Sequence, residues 1–329
     1  MTLAAVASSQ GEAVRGAVPD ARLFADPAAM IAGGACDLIV VASPNDSHAR
    51  WATAALEAGR HVVVEKPFAL SLDEARAVAA TAERTGRLLA VFQNRRWDSD
   101  FLTVRAAIAD GLIGRLVHFE SHIDRFRPQV RDRWREGAGP GAGIWYDLAP
   151  HLLDQALVLF GLPQAIEADL ATLRDGGKAD DWAHALLHYP RHRVIVHASM
   201  LVAGGSPRFI LHGDGGSAVK PLPDRQEAQL LAGVTPGSPD WGSDPDPLLV
   251  WNGEGEQRPV AAQSGDQRGF YRAVADAVAG TGANPVPPVQ AIALMALIEA
   301  GLRSSAERRA IAPDLSATER TALAATPAV

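Results

Sequence analysis

Cysteine is almost absent from this sequence: Cys36 stands alone among 329 residues, which excludes an internal disulfide and fits a reducing compartment. Excess basic charge is lacking too. With 31 Lys and Arg against 38 Asp and Glu the formal net charge is -7, which argues against a general nucleic-acid-binding or anionic-membrane surface. No apolar run approaches 18 residues and no charged-then-apolar leader opens the sequence, so neither a membrane span nor a secretory signal is expected. Internal repeats and low-complexity tracts are missing as well. What remains is the composition of an ordinary soluble globular protein, 47% apolar and 21% charged, and long enough for two domains. The expectation is a cytoplasmic protein that binds neither nucleic acid nor membrane.

The most informative stretch that is present is VVVEKPFALS. His61 to Val64 reads as a buried strand, because a β-branched run bounded by Gly59 and Pro67 fits a sheet covered on both faces. Glu65, Lys66 and Pro67 then fall at the carboxyl end of that strand, where open parallel α/β sheets bind ligands. Pro67 holds Lys66 out of the helical region and so directs its ammonium group. The plainer reading is a surface ion pair between Glu65 and Lys66.

Around this stretch the chain alternates strand and helix. Leu3 to Ala7, Arg22 to Phe24, Asp37 to Ala42, His61 to Val64 and Leu88 to Phe92 read as strands, with helices between them. Ser43-Pro44-Asn45-Asp46-Ser47-His48 breaks the third strand and opens a helix over Trp51 to Ala58. Ser71 and Glu74 have capping-box spacing. This alternation predicts an α/β fold with a doubly wound parallel sheet, and a domain boundary is expected near Asn94 to Asp100, giving domains 1–97 and 98–329. Beyond it come a helix over Asp100 to Asp110 and a strand over Leu116 to Ile123. Residues Arg125 to Gly143 carry five arginines and little periodicity, the signature of a long lid or binding loop. A helix over Trp145 to Phe160 precedes strands at Ile166 to Leu173, Trp182 to Tyr189, Arg193 to Leu201 and Arg208 to His212, so the second domain is expected to be α+β with a large, mostly antiparallel sheet. Pro221 to Pro259 yields no assignment, Asp266 to Ala279 and Val289 to Arg309 read as helices, and the tail beyond Pro313 is expected to be loose.

A second chemical constellation is Asp147, His151 and Asp154 in YDLAPHLLDQ. Spacings of four and three put them on one side of a helix, with Leu148, Leu152 and Leu153 supplying an apolar side. A carboxylate one turn before a histidine can orient it as a general base. The alternative is that His151 packs as an ordinary helix residue. No further His or Cys gathers nearby, so a metal reading of the three is disfavoured and no metal is expected. Pro150 is expected in the first turns, where its missing N–H is tolerated. In the arginine loop, Arg127 and Trp134 are candidates for contact with an anionic or hydroxyl-rich substrate, as is Tyr146 at the helix start. Pairing of the loop's arginines with Asp132 and Glu136 is the competing reading.

Four stretches, ASPNDSHARWATAALEAGRHVVVEKP, QNRRWDSDF, RFRPQVRDRW and GAGIWYDLAPHLLDQALVLFGLP, together resemble the Gfo/Idh/MocA family of NAD(P)-dependent oxidoreductases, and most closely its NADP-dependent scyllo-inositol dehydrogenase-like branch. The resemblance implies an N-terminal Rossmann domain and a C-terminal domain whose open sheet joins copies into a homo-oligomer, a dimer or tetramer. It implies that Lys66 contacts the reacting oxygen, that His151 and Asp147 serve the same chemistry, and that Ser43, Pro44, Asn45, His48, Glu65, Pro67 and Asn94 line the nicotinamide half of the cofactor. The implied substrate is a sugar or polyol, oxidised at a secondary alcohol. Alternatives are a reductase of an aldose, anhydro sugar or diketone, and a non-catalytic relative deficient in cofactor binding.

One departure bears on that last alternative. Members of the family open with a strand and a G-x-G-x-x-G-like turn that cradles the pyrophosphate, whereas this sequence begins at what corresponds to the second strand. Ala32-Gly33-Gly34-Ala35 and Gly213 to Gly216 do not substitute, since neither links a strand to a helix. The expectation is a start placed too late, with the Rossmann sheet truncated at its beginning. At the end of the first strand, where NAD-preferring folds carry an acid for the ribose diol, stand Ser8 and Ser9. These would tolerate a 2'-phosphate, so NADP is the expected cofactor and NAD the alternative.

Overall fold

Short apolar runs separated by alanine-rich stretches make the first part of the chain alternate between strand and helix. The order is β1 (Ala5–Ala7), α1 (Gly11–Ala17), β2 (Arg22–Phe24), α2 (Pro27–Ala32), β3 (Leu38–Val41), α3 (His48–Glu57), β4 (His61–Val64), α4 (Leu72–Thr85) and β5 (Leu89–Val91). Every pairing among these strands is parallel, β1 with β2 in one ladder and β3-β4-β5 in another. The expected Rossmann-type pairing is therefore present in two pieces, with no strand among the described residues joining them. In β4, Val62, Val63 and Val64 are fully buried, as a strand flanked on both sides and covered on both faces must be. The helix after it starts where Ser71 accepts from the Glu74 amide and stops at Gly86, whose φ of 62° suits a residue without a side chain. Glu74 completes the cap one residue early, accepting from the Leu70 amide at 3.0 Å.

The computed structural model describes residues 1–326 as two compact units. Met1–Phe92 and Arg272–Ile292 form the first; Gln93–Tyr271 and the chain from Ala293 form the second. The remaining elements are α5 (Ser99–Ala109), β6 (Leu116–Asp124), α6 (Ile144–Phe160), β7 (Ala165–Ala171), β8 (Trp182–His188), β9 (Arg193–Ser199), β10 (Phe209–Gly213), β11 (Gly216–Lys220), α7 (Gln226–Leu231), β12 (Leu248–Asn252), β13 (Gln257–Val260), α8 (Arg268–Val278), α9 (Pro288–Glu307) and α10 (Ala317–Ala324).

Eight strands of the second unit form one sheet in the order β13-β12-β11-β10-β6-β9-β8-β7. Its pairings are antiparallel except that of β6 with β9. Alternation along the strands sorts residues between two faces. Phe119, Ala185, Leu187, Val194, Val196 and Leu211 are buried on one, where α6 packs against β6, β8 and β9. Each large apolar side chain buried there contributes roughly 1.5–3 kcal/mol. By length and composition α9 could cross a membrane, yet Ala293 to Ile298 are all buried in the protein, as in the core helix of a globular unit.

Three expectations are corrected. The unassigned stretch Pro221 to Pro259 contains α7, β12 and most of β13; its strands are short and Pro-flanked, and the pairing of β12 with β11 and of β13 with β12 makes them strands. The tail beyond Pro313 is not loose throughout, because Ser316 and Glu319 form a reciprocal capping box that starts α10. Pro150 lies inside α6 rather than in its first turn, where a proline has no N–H for the helical ladder.

Within the second unit, α9 and α6 cross closely at Gly301. A Cβ there would lie 2.3 Å from Trp145 Cζ2, while Trp145 Nε1 donates to the Ile298 carbonyl at 3.0 Å and holds the ring in place. Gly301→Ala is therefore expected to destabilise the second unit by about 1–3 kcal/mol, read as a lower urea midpoint followed by tryptophan fluorescence.

Candidate active site

In the first unit the functional candidates gather at the carboxyl ends of β3 and β4. Glu65 continues the ladder, its amide donating to the Val41 carbonyl at 2.9 Å, so the residues after β3 and β4 leave the sheet side by side. His48, 1% exposed, ties them together: its two ring nitrogens lie 2.8 Å from the carbonyls of Pro67 and Ser43. Ser43 and Ser47 hydroxyls are 2.6 Å apart, and Ser47 donates to the Pro44 carbonyl at 2.7 Å. Asn45 is buried at 7% exposure. Lys66 and Glu65 are half-buried, and the Lys66 amide donates to Glu65 Oε2 at 3.2 Å. Ser43, Pro44, Asn45, His48, Glu65, Lys66 and Pro67 thus form one connected strand-end group.

Ser8 and Ser9 lie apart from that group, after β1 in the other ladder. Ser8 Oγ accepts from the Gln10 amide at 3.0 Å and so closes a local turn, whereas Ser9 is exposed.

In the second unit α6 carries the other candidates, and its first turn is fixed by Asp180. The Asp180 carbonyl and carboxylate accept from the amides of Ile144 and Trp145 at 2.8 and 2.7 Å. That approach requires glycine at position 143: φ is 93°, and a Cβ would stand 2.1 Å from Asp180 Oδ1. Burial pushes the Asp180 carboxyl up to about 6, against the opposing effect of the amide bonds it accepts. Farther along, Asp154 is taken up by Arg96: its two oxygens accept from Arg96 Nη2 and Nε at 2.6 and 2.8 Å, both partners almost fully buried. This pair removes Asp154 from the candidate set. His151 is buried at 5% exposure, and Asp147 is flanked by Arg135 at 3.8 Å and Arg125 at 3.9 Å.

The arginine loop is pinned rather than free. Arg125 and Arg127 amides donate to Ser199 and Met200 carbonyls, and buried Arg174 donates to the Arg127 carbonyl at 3.1 Å. Glu136 accepts from Arg133 at 2.7 Å and from the Arg131 amide at 3.0 Å, and pairs with Arg174 at 3.0 Å. Burial pushes Glu136 upward, but these bonds outweigh it and hold the carboxyl below its usual range. Arg127 is half-buried among Arg125, Arg131 and Arg133; burial and those like charges lower its pKa. Trp134 is 42% exposed with the Arg135 guanidinium 4.5 Å above its ring, and Tyr146 is half-buried. Arg133, Arg135, Gly143, Asp147, Lys178 and Asp180 line a shallow pocket at the start of α6.

Asn94 opens a short 3-10 turn over Asn94–Trp97 and is half-buried. Gln93 before it was not singled out from the sequence. It is 2% exposed and neither atom of its side-chain amide has a protein partner, the condition in which a ligand's polar group is expected. Its place directly after the strand Leu88 to Phe92, like that of Glu65 after β4, was the available signal. Asp180 and Arg174 were missed because nothing local marks them.

Residues 1–93 match the NAD-binding Rossmann fold of an oxidoreductase family, and residues 105–312 match the same family's C-terminal alpha/beta domain. The chain belongs to the Gfo/Idh/MocA oxidoreductase family. It is 50% identical over 309 residues to the uncharacterized oxidoreductase YdgJ of Escherichia coli K12, covering 93% of this chain and 89% of that one. It is 32% identical over 311 residues to the NADP(+)-dependent scyllo-inositol 2-dehydrogenase IolW of Bacillus subtilis 168, covering 93% and 87%. A Klebsiella pneumoniae oxidoreductase crystal structure superposes with a TM-score of 0.93 at 51% identity, covering 98% of this chain and 90% of that one. The family's first domain is an NAD(P)-binding fold, and the strand-end group of hydroxyl, amide, carboxylate and ammonium side chains suits the polar nicotinamide-ribose half of such a cofactor. The sequence contains no G-x-G-x-x-G for the pyrophosphate.

Because Asp180 keeps its proton to about pH 6 in the folded chain but loses it in the ordinary carboxylate range when unfolded, the folded form binds the extra proton between those limits. Its contribution to stability therefore falls as pH rises from about 4 to about 6 and is flat above. Asp180→Asn, which keeps an oxygen acceptor for the helix, is expected to remove that component. Urea unfolding of both proteins at intervals between pH 4.5 and 7.5 should show their stability difference changing below about pH 6 and constant above it.

Proposed function

We propose that the chain is an NAD(P)-dependent dehydrogenase that moves a hydride between a nicotinamide cofactor and a secondary alcohol or ketone of a sugar or polyol, inositol-like in its array of hydroxyls. The observation that carries this reading is the half-buried lysine at the carboxyl end of β4 in an NAD-binding Rossmann domain. Support for the substrate class comes from the scyllo-inositol 2-dehydrogenase relative.

The cofactor's nicotinamide ring supplies the hydride acceptor. Lys66 donates to the reacting oxygen and stabilises the alkoxide as charge develops. His151 receives the hydroxyl proton, directly or through Lys66, and Asp147 one turn earlier stabilises the imidazolium. Ser43, Pro44, Asn45, Glu65, Pro67 and Asn94 line the nicotinamide half of the cofactor pocket. His48, whose ring nitrogens face main-chain carbonyls, serves that pocket by fixing the two strand-end loops. Arg127, Trp134 and Tyr146 contact substrate hydroxyls or ring faces. Ser9, exposed after β1, and the Ser8 turn leave room for a 2'-phosphate, which favours NADP. The enzyme works in the cytoplasm, as its single cysteine suggests, and assembles as a homo-oligomer through its C-terminal sheet.

Lys66→Met and His151→Ala are each expected to lower turnover by roughly 10²–10⁴-fold, with NADPH binding, followed by tryptophan fluorescence, retained. Wild-type turnover in both variants would remove the mechanism. Assayed with both cofactors at one pH, kcat/KM is expected to favour NADP over NAD at least about tenfold, a difference of roughly 1.4 kcal/mol; a strong NAD preference would reject the serine argument.

A further inference from the structure

The face of the eight-stranded sheet opposite α6 carries an uncommon concentration of imidazole. Alternation puts His118, Glu120, His122 and Asp124 of β6 on it, beside Ile195 and His197 of β9 and Trp182, His184 and Leu186 of β8. On the other side of β6, Ile210 and His212 of β10 share the face. The imidazoles touch in series: His212 and His118 rings are 5.6 Å apart, His122 and His197 5.8 Å, and His197 and His184 5.5 Å. Glu120 bridges His118 at 2.7 Å and His122 at 3.0 Å. Asp124 is 2% exposed at its side chain and lies 3.6 Å from His197 Nε2, yet neither of its oxygens has a hydrogen-bond partner.

We propose that this histidine array makes pairing of two copies of the chain through the open sheet face sensitive to acid, the pair forming near neutral pH and separating as the imidazoles gain charge. The inference rests on the self-association reading above and adds its regulation. A second copy is the occupant that the dimensions favour. Eight strands at ~4.8 Å spacing and about five residues at ~3.3 Å give a projected face of roughly 600 Å², close to the ~800 Å² per partner of a stable interface. The face also mixes apolar side chains with histidines and acids, so that a two-fold related copy can set one chain's histidines against the other's carboxylates.

The sign of the pH response follows from burial. His184 and His197 are held below the usual histidine range first by burial, with His122 adding like-charge repulsion to both; Glu120, with Asp169 for His184 and Asp124 for His197, opposes this only in part. Burial pushes Glu120 up, but its two histidine partners outweigh that and keep it ionised. Other charged or titratable groups facing the array are Glu167 of β7, 3.7 Å from His188 of β8, and Arg193 of β9, opposite His188 in the ladder. Covering the face with a second copy deepens the burial of His184 and His197, so the paired form binds fewer protons than the separate chains. Association then weakens as pH falls through the free-chain values of these two residues.

Sedimentation velocity of the full chain at about pH 7.5 and pH 5.0, with near-UV circular dichroism to verify the fold, tests the proposal. The wild type is expected to be paired at the higher pH and to show at least about 100-fold weaker association at the lower. His184→Gln/His197→Gln, or His184→Gln alone if the double variant does not fold, is expected to keep much of the pairing at the lower pH. Wild-type pairing that persists at pH 5.0 overturns the switch while leaving self-association standing. Equal acid dissociation of wild type and variants overturns the assignment to these histidines. A single copy at every pH removes the self-association reading and this inference with it, without touching the hydride-transfer assay.

Discussion

The rotational setting of α6 depends on one buried contact, the two-toothed pairing of Arg96 with Asp154. Both groups are out of water, so neither tolerates loss of the other, and a buried pair broken on one side typically costs several kcal/mol. Arg96 belongs to the Asn94–Trp97 turn, so the pair fastens the middle of α6 to that turn. Two turns before Asp154 on the same side of the helix, Asp147 meets Arg125 and Arg135, while Leu148, Leu152 and Leu153 are buried in the core. The Asp180 cap fixes the same helix at its other end. Held at two points, α6 carries Asp147 and His151 on a rigid element.

The second unit also encloses a polar network that an apolar core would not need. Arg208, 4% exposed, donates to Asp100, Ser121 and Gln155. Lys220, fully buried, pairs with Asp244 and Asp246. Asp98 sits among Arg95, Asp100 and Asp224, and burial raises it to about 7 even beside Arg95. Such groups are costly to bury unpaired and nearly neutral when paired. Their contribution is geometric: they join α5, the sheet and the loop around Asp224 in one arrangement and reject others.

Features with a local cause were legible in the sequence. The strand His61–Val64, the Ser71 cap and the Gly86 stop follow from β-branched runs, a side-chain acceptor and a residue tolerant of positive φ, all within a few positions of where they act. The position of Lys66 after a buried strand was legible for the same reason. The strands of Pro221 to Pro259 were not, because β12 and β13 are stabilised by pairing with β11 and with each other, and short segments rich in Pro and Gly carry little periodicity. For the tail, the Ser316–Glu319 capping box is a local signal of the same kind.

By itself the sequence determined the alternation of strand and helix, the placement of Glu65, Lys66 and Pro67 at a strand end, and the one-turn spacing of Asp147 and His151, because each depends on periodicity and stereochemistry over a handful of residues. Tertiary structure alone decided that Asp154 belongs to Arg96, that Asp180 caps α6 and demands glycine at position 143, that Arg174 and Glu136 pin the arginine loop, and that histidines from four strands share one face. Those facts join residues from 35 to 58 positions apart and more. Only packing, which sets the distance and dielectric between groups remote in the chain, can turn such side chains into a pair, a cap or a cluster.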